Sequence, residues 1–170
     1  MVEETIKEIK RQFHLYMDGV ASQSMREKGV DYKVNWGLKI GHLKQIASQY
    51  EKNYDLAVGL WKSNTRECKI LATMLMPPNA FQEDLAQLWI EQTPTTEIAQ
   101  YLAFFLMQHT EDAATLAFKW IASPNAIYQE CGYNTLSGLF SQGKQPSFRD
   151  MQELAGFSEE HEKIVEKVLF

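Results

Sequence analysis

The chain has 170 residues, 17 basic and 22 acidic side chains and a formal net charge of −5. That length allows one domain, or two small ones, with a buried core, and 45% apolar with 23% charged residues are globular values that exclude a disordered chain. No apolar run reaches the ~18 residues of a membrane span, the charged opening Met1-Val2-Glu3-Glu4 is unlike a secretory signal, and an acidic total excludes a nucleic-acid binder that is basic all over, though not one with a local basic face.

In chain order, Ile6, Ile9, Phe13, Tyr16 or Met17, and Val20 form one stripe and predict a first helix over about 3–22. Val30, Tyr32, Val34 and Trp36 then alternate with Asp31, Lys33 and Asn35, a strand-like period of two. No second strand signal exists to pair with it, and a lone strand leaves its backbone groups unbonded. The segment therefore reads as an extended connection pinned by aromatics, with a short helix as the alternative. Ile40, Leu43, Ile46, Ala47 and Tyr50 predict the next helix; Leu56, Ala57, Leu60 and Trp61 another; Ile70, Leu71, Met74 and Leu75 a further one that Pro77-Pro78 stops.

Leu85, Leu88 and Trp89 continue the series, and Ile98 to Met107 is apolar almost all round, the pattern of a helix buried on several sides. Thr110, followed by Glu111 and Asp112, reads as a helix start, with the hydroxyl capping free amides. Leu116, Ala117, Trp120 and Ile121 carry that helix. Others are expected at about 126–141, 147–156 and 158–169, with Ser147 and Ser158 as caps.

Three stretches resemble one another. Leu60-Trp61-Lys62-Ser63 leads through a turn to Glu67-Cys68-Lys69-Ile70-Leu71-Ala72; Leu88-Trp89-Ile90 leads past Pro94 to Glu97-Ile98-Ala99-Gln100-Tyr101-Leu102; Lys119-Trp120-Ile121 leads past Pro124 to Glu130-Cys131-Gly132-Tyr133-Asn134-Thr135. The three tryptophans are 28 and 31 residues apart. A helix pair recurring at that period is the mark of an α-solenoid, whose stacked pairs bury one continuous core. Packing is the simplest role for the tryptophans, and stacking on a base the alternative. The expected architecture is all-α, a HEAT-like repeat solenoid forming a single domain over 1–170, with helix pairs over about 39–141.

Residues that carry chemistry are sparse. Cys68 and Cys131 form neither a disulfide framework nor a Cys-x-x-Cys pair, so they read as reduced, buried thiols of a cytoplasmic protein, a reactive thiol being the alternative. His14, His42, His109 and His161 are scattered without zinc spacing, and no Walker or Rossmann glycine pattern is present, so neither metal nor cofactor is expected. Gly37 and Gly41 flank a helix start whose amides suit either a simple turn or a phosphate. Lys62, Arg66 and Lys69, with Lys39 and Lys44 before them, form a cationic cluster: a solvated face, or a strip that contacts phosphates.

From Leu43-Lys44-Gln45-Ile46-Ala47, most closely over Leu56-Ala57, Leu60-Trp61-Lys62-Ser63 and Arg66-Glu67-Cys68-Lys69-Ile70-Leu71-Ala72, and more loosely to about Phe140, the chain resembles the AlkD-like DNA alkylation repair glycosylases. The resemblance implies a curved HEAT-like solenoid that holds duplex DNA by its backbone on a concave face, and an activity that excises alkylated purines without a conventional base-flipping pocket. It also implies a Trp-Asp-x-x-Asp pattern in the second repeat, whose later aspartate aids catalysis. The matching stretch here is Thr96-Glu97-Ile98-Ala99-Gln100, so Thr96 stands for the tryptophan and Gln100 for the aspartate. Where the family offers a phosphate-binding arginine before an Ala-Gly-aromatic step, this chain has Glu130-Cys131-Gly132-Tyr133. The resemblance also implies C-terminal repeats that complete the family's cleft, and these are not expected within this sequence.

Breaking a glycosidic bond builds positive charge on the sugar, which a carboxylate stabilises far better than an amide does, and Glu130 repels phosphate. Glu97 is the remaining candidate acid, although its place in the first turn of a helix gives it a structural reason to be there. The expectation is therefore a duplex-binding protein, contacting DNA through Lys39, Lys44, Lys62, Arg66 and Lys69, with base excision weak or lost. The alternative is a non-enzymatic scaffold that binds a protein partner on the same face, with Tyr101, Phe104 and Phe105 as anchors. The charge total hides a division that favours DNA: residues 1–70 carry 12 basic and 9 acidic side chains, while residues 71–170 carry 5 and 13.

Overall fold

In a computed structural model that describes residues 1–144, the chain is helical. Its α-helices are α1 (Val2–Tyr16), α2 (Gly19–Glu27), α3 (Ile40–Ala47), α4 (Tyr54–Trp61), α5 (Arg66–Leu75), α6 (Glu83–Glu91), α7 (Thr96–Tyr101), α8 (Ala113–Ile121) and α9 (Ala126–Ser141). Several begin on side-chain caps of the expected chemistry: Asp18, Asn53, Thr95 and Asn125 each accept a first-turn amide. No helix among the described residues is long and apolar enough to cross a membrane. The helices expected at 147–156 and 158–169, with Ser147 and Ser158, lie outside the described residues.

The described chain forms two compact units, Met1–Ala80 and the residues from Phe81 onward. In the first, α4 packs against α5 and α1, and α3 against α5 and α1. Ile9, Phe13, Leu43, Ile46, Leu60, Ile70 and Leu71 are fully excluded from solvent there. In the second, α9 packs against α8 and α7, with Ala117, Phe118, Ile121 and Leu136 in its core. Trp61, Trp89 and Trp120 are 2%, 1% and 1% exposed, which makes them packing residues and removes base stacking from their roles. Trp120 satisfies its indole N–H on Gln87 Oε1 at 3.2 Å.

Three local expectations are corrected. The helix expected over 3–22 is two helices, because Met17 is extended (ψ 140°) and Asp18 caps α2 with its carboxylate while its own N–H donates to the Trp36 carbonyl at 2.9 Å. A strong cap and a tertiary hydrogen bond outweigh a continuous apolar stripe. The buried run from Ile98 to Met107 is not a uniform helix: α7 widens into a π turn at Leu102–Leu106 and tightens into a 3₁₀ turn at Met107–His109. The shift turns Phe104 outward, 56% exposed, while Leu102, Ala103 and Leu106 stay buried. Thr110 does not cap α8; its hydroxyl donates backward to the Met107 carbonyl at 2.8 Å, and Asp112 takes the N-cap position without a side-chain bond.

The 30–36 segment is extended, as expected. Its ladder is a single parallel bridge between Val34 and Thr65, in which Val34 N donates to Asn64 O at 3.2 Å and Arg66 N donates to Val34 O at 2.9 Å.

Candidate nucleic-acid interface

In the second unit, α7 and α9 bring together Gln100 and Glu130, the two residues that stand at the resemblance's aspartate and arginine positions. Gln100 is exposed, and its Nε2 donates to Glu130 Oε1 at 2.8 Å. Asn134, one turn further along α9, donates its Nδ2 to the same Oε1 at 3.1 Å and to the Glu130 carbonyl at 2.7 Å. The amide of Gln100 and the carboxylate of Glu130 thus bond each other, with Asn134 on the same carboxylate. Glu97, in the first turn of α7 beyond the Thr95 cap, is half-buried and has contacts of its own.

Gly132 explains why α9 can lie where it does. A Cβ there would sit 2.7 Å from the Ala117 carbonyl oxygen and 2.7 Å from Ile121 Cγ1, so only glycine lets α9 approach α8 this closely.

The cationic cluster of the first unit divides in two. Lys39, Lys44 and Lys62 are exposed, at the start of α3, the last turn of α3 and the C-terminus of α4. Arg66 and Lys69 turn inward, at 3% and 7% exposure. Arg66 donates through Nη1 to the Leu38 carbonyl at 2.9 Å and to Glu67 Oε1 at 3.1 Å. Lys69 donates through Nζ to the Trp61 carbonyl at 2.8 Å and lies 4.3 Å from the centroid of the Trp61 ring; its burial lowers its pKa. The spacing of these residues was visible in the sequence, but which of them face water depends on how α5 rotates against α3 and α4.

Glu67, completely buried, also decides the fate of the Gly37 turn. Its carboxylate accepts the N–H of Trp36 at 3.2 Å and of Leu38 at 3.3 Å, and the Gly37 N–H goes to Asn35 Oδ1 at 2.8 Å. Gly37 adopts φ +72°, and a side chain there would collide with the Asp18 backbone. The amides of Trp36, Gly37 and Leu38 are thus already bonded within the fold, and Gly37 serves the turn.

Both cysteines are buried free thiols. Burial pushes the Cys68 thiol up to about 11 and raises that of Cys131 further still, the opposite of a nucleophile's environment. Among the described residues no cluster of His, Cys, Asp or Glu is arranged to hold a metal. One further row of cations, not among those expected from the sequence, lies on α1: Lys7, Lys10, Arg11 and His14. Their i, i+3, i+4, i+7 spacing places them on one helix face, and that spacing was the available signal.

Paired helices with repeated tryptophans, and a basic first unit ahead of an acidic second one, define a helical-repeat protein of the HEAT-like type. The chain belongs to the DNA alkylation repair enzyme family, whose model matches residues 8–164. That match reaches beyond the stretch from Leu43 to Phe140 on which the resemblance first rested. The chain is also similar to Uncharacterized protein Lin0241 of Listeria innocua serovar 6a, 31% identical over 107 residues that make up 60% of this chain and 47% of that one. It therefore spans about half the length of that relative. Among solved structures it matches, at a TM-score of 0.76 and 16% identity, over 95% of this chain and 73% of the other, a protein described as "a new family of proteins related to the HEAT-like repeat DNA glycosylases with affinity for branched DNA structures". That likeness establishes the HEAT-like helical fold.

Proposed function

We propose that this protein binds duplex DNA through its sugar-phosphate backbone, with base excision weak or lost. The hydrogen bond between Gln100 and Glu130 carries the reading. Excision of a cationic base needs negative charge beside the sugar and positive charge on the flanking phosphate. Here an amide occupies the first place and a carboxylate the second. Lys39, Lys44 and Lys62 remain exposed for phosphate contact, and the affinity for branched DNA described for the structural neighbour supports DNA as the ligand. Contacts of this kind fix position on DNA without reading sequence.

Release of 3- and 7-methylpurines from alkylated duplex tests the catalytic half of the reading. Release no faster than the spontaneous rate is expected; brisk release that Glu97→Gln abolishes would overturn it. The DNA half is tested by binding to unmodified duplex at low salt, where complete absence of binding overturns it. Absence would favour the second reading, a scaffold for a protein partner, which one observation supports: Phe104 is exposed beside Phe105 and Tyr101, with Phe104 edge-on to Phe105 at 5.1 Å and Tyr101 stacked on it at 5.7 Å.

A further inference from the structure

The row of cations on α1 borders a groove of about 420 Å³ within the first unit. Lys7, Lys10, Arg11 and His14 form one wall; Trp36, Val34 and Thr65 form the other side and floor. No acidic side chain lines it. Among the described residues Lys7, Lys10 and Arg11 enter no ion pair or hydrogen bond. Seven residues of helix rise about 10 Å, long enough for the row to meet more than one phosphate of a strand.

The aromatic wall is held firmly. Both backbone groups of Trp36 are bonded, its N–H to the buried Glu67 carboxylate at 3.2 Å and its carbonyl to Asp18 N–H at 2.9 Å. Its half-buried ring meets the edge of His14, centroids 4.7 Å apart and planes at 72°. Val34, beside it, is 42% exposed. A fixed aromatic loses little conformational freedom when a ligand arrives.

Cations alone would suit any phosphate chain. A rigid indole and an exposed valine between them suit a ligand that also presents a flat apolar face. Duplex DNA keeps its base faces stacked inside, whereas an unpaired strand offers both phosphates and open base faces. We infer that the groove between α1 and Trp36 is a site for single-stranded DNA, with Lys7, Lys10 and Arg11 on successive phosphates and a base against Trp36. The inference rests on the DNA-binding reading above and extends it to junctions or ends where a strand is unpaired.

The test uses the full chain, a short labelled oligothymidine strand and a duplex of equal length, followed by fluorescence anisotropy at low salt. Single-strand binding should quench tryptophan emission, and the signal belongs to Trp36, since Trp61, Trp89 and Trp120 are buried. The double variant Lys10→Glu, Arg11→Glu should weaken single-strand binding at least tenfold, because a half-buried and an exposed cation of the groove wall both change sign. Trp36→Leu should weaken it about tenfold or more, and Trp36→Phe, which keeps a stacking face, should restore most of it. Lys28→Ala, which removes an exposed cation outside the groove, should leave single-strand affinity unchanged. Duplex binding with no single-strand binding, or single-strand binding indifferent to the Lys10/Arg11 reversal, would overturn the inference and leave the DNA reading standing. Displacement of the strand by polyglutamate at equal charge concentration would overturn it too, by showing a general anion strip. Absence of binding to any DNA form would overturn both.

Discussion

The carboxylate of Glu67 accepts the backbone N–H of Trp36 through both oxygens at 3.2 Å. Through that bond and its ion pair with Arg66 at 3.1 Å, one buried acid joins the start of α5 to the extended segment that carries Trp36. Removing one partner of a buried pair leaves the other charge uncompensated. Glu67→Ala is expected to lower stability by about 3–5 kcal/mol and to red-shift Trp36 emission as the segment loosens. Urea unfolding followed by fluorescence measures both; a variant as stable as the parent would refute the anchoring role.

Lys62 and Lys69 lie seven residues apart, yet they should respond to different experiments. Lys69 bonds the Trp61 carbonyl and is buried, so Lys69→Met should cost about 1–3 kcal/mol and leave the salt dependence of duplex binding unchanged. Lys62 is exposed, so Lys62→Ala should hardly move the melting temperature but should reduce the slope of log K against log salt by about 0.9. Thermal melts alongside a salt titration decide between these assignments.

Gly132→Ala places a methyl group 2.7 Å from the Ala117 carbonyl. Backbone cannot yield as a flexible side chain can, so α9 must move off α8, and overpacking of this kind costs roughly 1–3 kcal/mol. Gly41→Ala meets nothing within 4 Å and should be neutral or slightly stabilising. Comparing the two melting curves separates a packing glycine from a permissive one.

With the Cys68 thiol at about 11, the native thiolate at pH 8 is scarcer than that of an ordinary thiol by roughly two orders of magnitude. Cys131 is shielded more deeply. Mass spectrometry after iodoacetamide treatment at pH 8 should find neither residue labelled in the native protein and both labelled in urea. The same raised values link to stability. A folded thiol keeps a proton that the unfolded thiol gives up, so this contribution is complete below about pH 8.5 and declines as the pH rises toward 11.

The presence and order of helices α3 to α6 were legible, because each carries an apolar stripe at helical spacing and the Pro77-Pro78 pair ends α5, although the stripe that ran on to Tyr50 outlasts α3, which ends at Ala47. The break at Met17–Asp18 was not. The capping signal of Asp18 lies inside an unbroken apolar pattern, and the hydrogen bond that favours it comes from Trp36, eighteen positions away. The π turn at Leu102–Leu106 was invisible for a related reason. A run that is apolar on every side has no phase in which a shifted register would show.

What the sequence determined by itself was local: helical periodicity, the thirty-residue repeat, the surplus of positive charge in the first seventy residues, and the presence of Gln100 and Glu130 in place of the chemistry that the family resemblance implies. Spacing along a helix sets which residues share a face, and that is as far as spacing reaches. Only the tertiary structure decided which face meets water. It turned Arg66 and Lys69 inward onto Leu38, Glu67 and Trp61, joined Gln100 to Glu130 across thirty residues, and set Trp36 opposite the cations of α1. Those outcomes follow from how helices rotate against one another to bury their apolar surfaces, a choice made among distant residues that no single stretch of chain contains.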